Sequence, residues 1–550
     1  MPCFISLHHM YKKLFLIIGL LAIILPLLAQ KDTLPAPAPF VDSTSYLQIL
    51  RSARLNIEKK DSATTLQSLA GNVLVRQNKT LFYADSAVIN VGTKYMQAYG
   101  NIHINDNDSM HTYSRYLRYQ GLERIAYLRD NVKLVDSKGS TLTTSELTYD
   151  LNTSIAIYAK GGKVVNKKTV LTSREGVYNG MTKDVMFKKD VVLKDPGYII
   201  LTDSLLYNAT TEIARFVAPT TIINGGRKIY TREGFYDLKA GKAFFSKRPR
   251  IVDSASSVIA DEMAFDDKDG LGQFRGNVVY VDTMNNVSVL SNQLFVNKKQ
   301  GSFLATEKPL MILVQDGDST YITADTLFSG KLTYLLKNRE IPVIKDTSDG
   351  YTAPDLLGKD SASNRFFEAW NHVRIFADSV QMVCDSLFYA GTDSAFRLFR
   401  DPIVWSNDSQ ITADTIYLFT KDEKPYRMQA YYNGFIINKV GISRFNQVKG
   451  NTVNAWFKEG NIDYVRAKGR AETVYYVQDD FLKFIGMNRA TSDAIDMFFD
   501  GRKPQKVKFI NDLKGVTYPM KQIPAEEDKL KGFNWQDDKR PKTKFELFGM

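Results

Sequence analysis

The sequence predicts an all-β protein built as an elongated stack of repeats about 29 residues long. Three observations support this: one phrase recurs, a second phrase precedes it at the same spacing, and apolar and polar residues alternate inside both. The first phrase is Ala-Asp-Ser-Ala-Val-Ile-Asn at 84–90 and returns as Thr-Asp-Ser-Leu-Leu-Tyr-Asn at 202–208. The second phrase begins Gly-Asn-Val at 71–73 and again at 276–278. Two phrases that keep one spacing indicate stacked structural units.

The second position of the first phrase forms a column of mostly charged residues. From Ser145 to Asp261 its members follow one another in steps of 29 residues. Arg and Asp alternate within that stretch, which predicts ion pairs between successive rungs. A calcium ladder would need the Gly-Gly-x-Gly-x-Asp phrase, which is absent from the sequence, so no metal site is predicted. The column comprises Asp85, Ser145, Arg174, Asp203, Arg232, Asp261, Asn292, Asp325, Asp385 and Asp414.

Within each phrase the residues alternate in the way that strands with one buried face require. Ile102 and Ile104, for example, flank His103. The segments between phrases are short and rich in Gly, Asn, Asp and Lys, which are turn residues. A rung of this length has room for roughly three strands. We therefore expect a stack that buries its core between neighbouring rungs.

The ends of the chain predict its organisation. Residues 1–29 have the basic start, apolar run and following Ala-Gln of a secretory signal peptide, with an uncleaved anchor left open. Residues 30–66 then lead into a first stack at 67–335 and a second stack at 336–510, separated by a break in the pattern near 300–370. A polar tail follows at 511–550. Only Cys384 lies beyond the leader, so no internal disulfide is predicted.

Composition narrows the class of function. The net charge of +12 indicates an anionic partner. No nucleic-acid-binding phrase is present, and an anionic lipid or membrane surface suits an exported chain better. Beyond the leader the only histidines are His103, His111 and His372, and no nucleophile elbow, zinc motif or phosphate loop occurs. We therefore expect no catalytic residues and no cofactor.

The residues that carry a family resemblance are Leu-Ala-Gly-Asn-Val-Leu-Val-Arg-Gln at 69–77 and Thr-Leu-Phe-Tyr-Ala-Asp-Ser-Ala at 80–87. They resemble the Gly-Asn-Val and Ala-Asp pattern of the OstA-like family, which includes the periplasmic lipopolysaccharide-transport protein LptA and the N-terminal domain of its outer-membrane partner LptD. The length and the C-terminal stretch at 532–541 resemble the long form found in Bacteroidetes. The match repeats along roughly residues 45–500.

The resemblance implies a β-jellyroll, or folded "taco", whose apolar interior receives the acyl chains of lipopolysaccharide. It also implies a non-enzymatic periplasmic protein that carries or bridges lipopolysaccharide toward the outer membrane and pairs with other transport components, or with itself end to end, through strand edges. Association with either membrane is left open. The alternating residues that become candidates for the lipid-binding groove are Val73, Val75, Ile102, Ile104, Val132, Leu134, Leu147, Tyr149, Leu205, Tyr207, Met263, Phe265, Val278, Tyr280, Leu387, Tyr389, Ile416 and Leu418.

Two other classes of protein fit the same pattern. An outer-membrane β-barrel would also be exported and built from alternating strands, but it requires no 29-residue repeat. A structural or adhesive β-solenoid would keep the repeat and fill its interior with its own side chains. The two differ from a lipid carrier in how they are extracted from membranes and in whether lipid is bound.

Overall fold

Hairpins connect almost every strand of this protein to the next, and the strands form one sheet in a computed structural model. The structure describes residues 46–547 except 62–63, 316, 338, 340–364, 422–423, 460, 480, 482 and 501–502. The predicted signal peptide lies outside these residues. Within the described residues, no helix is both long and apolar enough to span a membrane.

The first half of the stack contains twenty-four of the strands found in the described residues. They are β1 (Gln48–Arg51), β2 (Arg54–Lys59), β3 (Thr65–Gln77), β4 (Thr80–Asn90), β5 (Tyr95–Asp106), β6 (Met110–Gln120), β7 (Ile125–Asp136), β8 (Thr141–Asp150), β9 (Ile155–Tyr158), β10 (Gly162–Asn166), β11 (Thr169–Ser173), β12 (Glu175–Asn179), β13 (Asp184–Asp195), β14 (Tyr198–Asn208), β15 (Ile213–Phe216), β16 (Thr220–Asn224), β17 (Arg227–Thr231), β18 (Glu233–Asp237), β19 (Lys242–Ser246), β20 (Arg250–Val252), β21 (Ser256–Ile259), β22 (Glu262–Asp266), β23 (Leu271–Asp282) and β24 (Val287–Asn297).

The second half continues the same sheet. Its strands are β25 (Ser302–Thr306), β26 (Leu310–Gln315), β27 (Asp318–Thr323), β28 (Thr326–Lys331), β29 (Arg365–Phe376), β30 (Val380–Ala390), β31 (Ala395–Phe399), β32 (Ile403–Ser406), β33 (Ser409–Thr412), β34 (Thr415–Lys421), β35 (Lys424–Lys439), β36 (Phe445–Lys458), β37 (Asn461–Gln478), β38 (Phe484–Asp500), β39 (Lys503–Ile510) and β40 (Lys514–Pro519). A short helix, α1, spans Leu332–Leu336, and a 3₁₀ turn spans Lys544–Leu547.

A corner in the middle of each long strand divides the sheet into two walls. Between β3 and β4, for example, the register shifts at the corner because two residues, Gly71 and Asn72, lie opposite Asp85 alone. Both residues have positive φ, which makes the corner a β-bulge that bends the strand. The hairpin at residues 78–79, between β3 and β4, belongs to a row of hairpins along one edge of the stack. We call the half of each strand that is nearer this row wall 1, and we call the other half wall 2.

This geometry explains the second recurring phrase and corrects the strand count. A repeat contains two long strands bent at the corner, as β5 and β6, or the same path divided at the corners into four short strands, as β9 to β12, rather than three straight ones. The Gly of the phrase is required where the carboxylate of the first phrase lies over it: a Cβ on Gly100 would meet Asp85 Oδ2 at 2.2 Å. Gly100 also has φ +96°, which favours glycine. The phrase is therefore the sequence mark of the corner.

The charged column lies along this corner, but its pairs differ from those expected between rungs. Asp85 accepts hydrogen bonds from the backbone N–H and the side chain of Asn101 on the next strand, both at 3.0 Å. Arg174 pairs with Asp190 at 2.5 Å, and Arg248 pairs with Asp261 at 2.8 Å. Successive members of the column lie on strands that are not adjacent, because another strand passes between them. The nearest corner to Asp85, for example, is therefore that of the second phrase on β5, which contains Asn101.

The sheet runs through the predicted boundary between two stacks, because β28 pairs with β29 from Lys331↔Arg365 to Thr326↔Trp370. After β40, residues 520–547 turn back along the outer face of wall 1. We call this segment the strap. It contacts strands as early as β27, where Lys544 Nζ lies 5.5 Å from the centre of the Tyr321 ring, and on β29 Arg374 Nη1 donates to Glu546 O at 3.3 Å. The domain boundaries at 335 and 510 remain predictions.

Candidate functional site: the apolar interior and its polar seam

Inward-facing side chains of both walls form one apolar cluster that runs from Leu69 to Met497. All of the predicted groove residues belong to this cluster or pack against it. They are buried except Phe265, Tyr280 and Tyr389, which are partly buried. The alternation in the sequence therefore correctly identified the inner face, and contact of these residues with lipid remains a prediction.

The two walls touch each other inside the stack. The ring of Phe82 in wall 1 lies 4.5 Å from that of Tyr119 in wall 2, centroid to centroid. Further along, Tyr198 of wall 1 and Tyr236 of wall 2 make an edge contact at 4.8 Å. Ile104, Leu205 and other inner residues are fully shielded from solvent. The interior is thus closed, with the side chains of one wall packed on the other.

Polar groups join the walls along the edge opposite the corner, where the hairpins lie. Tyr149 of wall 2 donates its hydroxyl to Asp106 Oδ2 of wall 1 at 2.9 Å. Tyr178 donates in the same way to Asp136 Oδ2 at 3.0 Å. Asn166 Nδ2 of wall 1 donates to the hydroxyl of Tyr207 at 3.2 Å and is itself buried. We call this row of bonds between the walls, from Gln77 to Asp267, the seam.

The ends of the seam keep the same arrangement with other partners. At the first end, Tyr119 donates its hydroxyl to Gln77 Oε1, and Gln77 Nε2 donates to the carbonyl of Gly121 at 2.8 Å. At the other end, Arg227 of wall 1 pairs with Asp267 of wall 2 at 2.8 Å, and Tyr236 donates to the same carboxylate at 2.6 Å. The seam therefore links the walls over several successive repeats.

One row of the sheet supplies the five seam tyrosines of wall 2. In register, small residues separate them: Tyr119 pairs with Ala126, which pairs with Tyr149, and Tyr149 pairs with Ala156. A small residue between two rings leaves each tyrosine free to extend toward the opposite wall. The row reads Tyr119, Ala126, Tyr149, Ala156, Tyr178, Val185, Tyr207, Ala214, Tyr236, Ala243 and Phe265.

Burial sets the protonation state of these phenols. It raises the pKa of Tyr149 and Tyr178 far above the ordinary value, and the neighbouring Asp106 and Asp136 carboxylates raise it further. The pKa of Tyr207 is also raised, chiefly by burial. These hydroxyls therefore stay neutral at physiological pH, and those of Tyr149 and Tyr178 can donate to the carboxylates.

Basic side chains lie in the seam beside the tyrosines. Arg124 of wall 2 donates to Thr80 Oγ1 of wall 1 at 3.2 Å, and its Nε is buried without a hydrogen-bond partner. Lys183 lies 4.0 Å from Asp136 and is mostly buried. With Arg227, these cations are held at the boundary between the apolar interior and solvent.

Sequence reasoning found Tyr149 and Tyr207 as lining residues and missed their polar role. It also missed Tyr119, Tyr178 and Tyr236. The available signal was the tyrosine that lies four residues after Arg115 and four residues after each member of the charged column from Ser145 to Arg232, in steps of 29 or 30 residues. Alternation identifies the face of a strand that a side chain occupies. It does not show which group on the opposite wall meets the end of that side chain.

The strap packs on the outer face of wall 1 and makes specific contacts with it. Gln410 donates to Asn534 O and accepts from Gln536 N–H, both at 2.7 Å. Gln447 does the same with Asp528 O and Leu530 N–H, both at 2.8 Å. Phe445 packs against Phe533 and Trp535 of the strap. The glutamine amides thus pair with the strap backbone as a neighbouring strand would.

Histidine and carboxylate side chains do not assemble into a metal site in the part of the chain that the structure describes. There, no three His, Cys, Asp or Glu side chains are grouped closely enough to hold a metal ion. His103 Nε2 and His111 Nδ1 lie 3.1 Å apart on the outer face, and the ring of His103 stacks with that of Tyr113. His372 lies at a corner, 3.1 Å from Asp325.

Bent strands, a continuous apolar interior and a polar seam define a class of folded β-stacks that can enclose apolar groups. Residues 44–203 and 188–261 match the sequence model of the OstA-like proteins. This match over the N-terminal part confirms the resemblance to the OstA-like family that the recurring phrases predicted. No curated protein matches the chain.

Comparison with solved structures returns LptH from Pseudomonas aeruginosa, described as the LptA homologous periplasmic component of the conserved lipopolysaccharide transport device. The sequence identity is 13%, and the match covers 26% of this chain and 82% of LptH. The TM-score is 0.19, so the match carries no argument about this chain.

Proposed function

We propose that this protein is a non-enzymatic periplasmic carrier that binds lipopolysaccharide by its acyl chains and carries or bridges it toward the outer membrane. The match of residues 44–261 to the OstA-like family supports a role in lipopolysaccharide transport. The observation that carries the proposal is the uninterrupted apolar cluster between the walls, from Leu69 to Met497. A continuous interior offers an acyl chain the same environment at every repeat.

Energetics favours transport through such an interior only if it can open. Transfer of one methylene out of water yields about 0.8 kcal/mol, so a dozen carbons yield about 10 kcal/mol. In the closed structure this free energy is already supplied by packing of one wall on the other. Lipid would replace contacts such as that between Phe82 and Tyr119 rather than fill an empty groove. Exchange of one apolar contact for another keeps the net binding free energy moderate and the lipid mobile.

Photo-crosslinking tests this proposal directly. A crosslinker at Ile104, which is fully buried, is compared with one at the adjacent outward-facing His103 in the full-length chain. The two positions share a strand and differ only in the face they occupy. Crosslinks to lipopolysaccharide at Ile104 and not at His103 are expected. Equal labelling or none at either position in a folded protein would contradict the proposal.

The closed packing of the interior favours a second candidate, a structural β-stack without cargo. Inner residues such as Ile104, Leu205 and Met263 are fully shielded by the protein itself. Such a protein would purify without lipid and would give no interior crosslinks. Release by a mild alkaline wash would separate either stack from an outer-membrane barrel, which needs detergent.

The terminal strands are the surfaces that would join such carriers end to end. In the described part of the chain, β1 and β2 pair with β3 at one end, and β39 and β40 pair with β38 at the other. Exposed apolar side chains lie on these strands or next to them, including Leu55 and Ile57 at one end and Val516 at the other. Unpaired strand edges recruit further strands. Sedimentation over a range of concentrations, with Ile57→Lys as the variant, tests whether copies associate there.

A further inference from the structure

The seam presents an arrangement that packing alone does not require. An apolar interior needs only apolar contacts to close, yet its free edge carries a repeated set of tyrosine hydroxyls, carboxylates and amides. Most of these bonds join one wall to the other, as Tyr149 to Asp106 and Tyr178 to Asp136 do. Their repetition along one row indicates a shared purpose.

The bonds in the seam are of a kind that can be exchanged. A buried hydroxyl that loses its partner costs free energy unless another acceptor replaces that partner. Phosphate oxygens accept hydrogen bonds from hydroxyl, guanidinium and ammonium groups as carboxylates do. When the walls part, Tyr149, Tyr178 and their neighbours therefore need anionic or polar acceptors at the same place.

Basic side chains already lie beside the place that such an acceptor would occupy. Arg124 and Lys183 belong to wall 2, and Arg227 belongs to wall 1. The buried Nε of Arg124 has no hydrogen-bond partner and can donate to an incoming acceptor. A bidentate guanidinium is the side chain that suits phosphate best. Separation of Arg227 from Asp267, or of Lys183 from Asp136, would release a further positive charge.

We infer that the seam is the gate of the apolar interior and that, once open, its basic residues Arg124, Lys183 and Arg227 bind the phosphate groups of an amphiphile whose acyl chains lie between the walls. This inference rests on the proposed function, since it assumes that acyl chains enter. It adds the position of the opening, the residues that hold it closed and the site of the headgroup.

The gate is tested without lipid through a thiol placed behind it. Ala126 is fully buried between Tyr119 and Tyr149 in the sheet, so Ala126→Cys reports solvent access to the interior. Cys3→Ser and Cys384→Ala remove the native thiols. The rate of maleimide labelling is then measured in the full-length chain, with circular dichroism to confirm that each variant is folded.

The gate variant combines Tyr119→Phe, Tyr149→Phe and Tyr178→Phe. Each change removes a hydroxyl and keeps the ring, and each lost bond is expected to speed opening about two- to tenfold. Labelling of the introduced thiol should therefore rise at least about tenfold overall. Unchanged labelling in the folded variant would overturn the gate.

A matched control removes three hydroxyls from the outer faces. Tyr83→Phe, Tyr99→Phe and Tyr113→Phe alter residues that are half-buried or exposed there. Labelling of the introduced thiol should stay at the parent rate in this control. A second gate variant, Asp106→Asn with Asp136→Asn, keeps an acceptor oxygen and should give a smaller increase. An equal increase in the outer-face control would also overturn the gate.

The headgroup site is tested with Arg124→Gln, Lys183→Gln and Arg227→Gln combined. The control neutralises three exposed lysines, by Lys133→Gln, Lys188→Gln and Lys194→Gln, so that net charge is matched. Affinity is measured for phosphorylated lipid A, for dephosphorylated lipid A and for inorganic phosphate. The seam variant should bind phosphorylated lipid A at least about tenfold more weakly than the control and dephosphorylated lipid A about equally.

The outcomes separate the two proposals. Equal losses for both forms of lipid A would overturn the headgroup site, as would inorganic phosphate that binds as tightly as the lipid. Absence of lipid binding by the parent chain, with no crosslink at Ile104, would contradict the proposed function and the headgroup site together. The thiol-labelling result would still decide whether the seam holds the walls closed.

Discussion

The two halves of the stack share one backbone plan and close it in different ways. In the first half, hydrogen bonds between the walls run from Gln77 to Asp267, and the outer faces contact solvent. In the second half, the strap covers the outer face of wall 1 through Gln410 and Gln447. The repeat therefore determines the strands and corners of both halves. The outward-facing side chains determine whether the outer face of a half is open to solvent or is covered by the strap.

Burial patterns show the same difference. Strands in the first half alternate buried and exposed residues, as in β6. In the second half, consecutive residues of β35 are buried, including Phe435, Ile436 and Ile437. A strand covered on both faces reads as an apolar run instead of an alternation. The first half is accordingly the better place to look for opening, and the second half for rigidity.

The largest effect is expected at a buried ion pair in the second half. Arg397 and Asp393 pair with almost no solvent contact, and Arg397 also lies over the rings of Phe388 and Tyr417. Arg397→Ala would leave Asp393 charged and buried, which costs about 3–5 kcal/mol in free energy of unfolding. Chemical denaturation measures it.

The matched control is the exposed pair of the first half, Lys160 and Glu146, where Lys160→Ala should cost at most about 1 kcal/mol. Arg397→Met combined with Asp393→Asn should recover much of the loss, because no buried charge remains unpaired. Similar losses for Arg397→Ala and Lys160→Ala would contradict the contrast between the halves.

Removal of a strap contact should have the next largest effect. Gln410 is fully buried, and Gln410→Ala strips partners from Asn534 O and Gln536 N–H of the strap, at a cost of about 1–3 kcal/mol. The strap should then exchange its amide hydrogens faster and be cut sooner by protease, while the first half is unaffected. Gln97→Ala, on the uncovered outer face, is the control. Uniform change along the chain would show that the strap does not act locally.

A smaller effect is expected on lowering the pH. Arg466 donates two hydrogen bonds to Asp496, at 2.6 and 2.7 Å, and holds the pKa of that carboxyl below its ordinary value of 3.8. Because the folded pKa is the lower one, the stabilisation is complete above the ordinary value and is lost as the pH falls through the folded pKa. Unfolding of the second half, followed between pH about 5 and about 2, should show this loss.

Asp496→Asn is the control for that titration, since an amide does not ionise in this range. The variant should be less stable than the parent at neutral pH, and its stability should depend less on pH below about 4. A parent and a variant with the same acid dependence would show that Asp496 is not the group responsible.

The smallest effect is expected at a corner. Asp85→Ala removes exposed hydrogen bonds to the backbone and side chain of Asn101, at a cost of about 0.5–1.5 kcal/mol. Asp261→Ala should behave alike, because Asn277 Nδ2 donates to it at 2.8 Å. Glu58→Ala, an exposed carboxylate on β2, is the control. Losses as large as that of Arg397→Ala would indicate that corners, rather than packing, hold the walls together.

The sequence was most informative where chemistry recurs at every repeat. The strand class, the repeat length and the inner residues such as Ile102 and Leu147 follow from alternation and spacing, and the structure confirms their burial. The corner could not be foreseen as a bulge, since Gly-Asn is equally typical of a hairpin turn. Only the pairing of Ala70 with Ser86 and Val73 with Ala84 shows that the strand continues through it.

The seam and the strap depend on contacts that local patterns do not contain. Tyr178 and Asp136 lie 42 residues apart, beyond the reach of any strand periodicity. Residues 520–547 are polar in composition, which is typical of an exposed segment. Their anchoring depends on a few apolar residues, such as Leu530 and Trp535, and on glutamines of distant strands. Such pairings become visible only when the walls are in place.

The strap also constrains the order in which the molecule can be assembled. Each bent strand pairs with strands made shortly before or after it, so the stack can grow repeat by repeat as the chain emerges. Gln410 and Asn534, in contrast, are 124 residues apart, and Gln381 and Arg540 are 159 residues apart. Contacts of such long sequence separation form late. Until the last segment arrives, Trp405 and Ile437 face outward uncovered, and the newest part of the stack is the part most exposed to unwanted association.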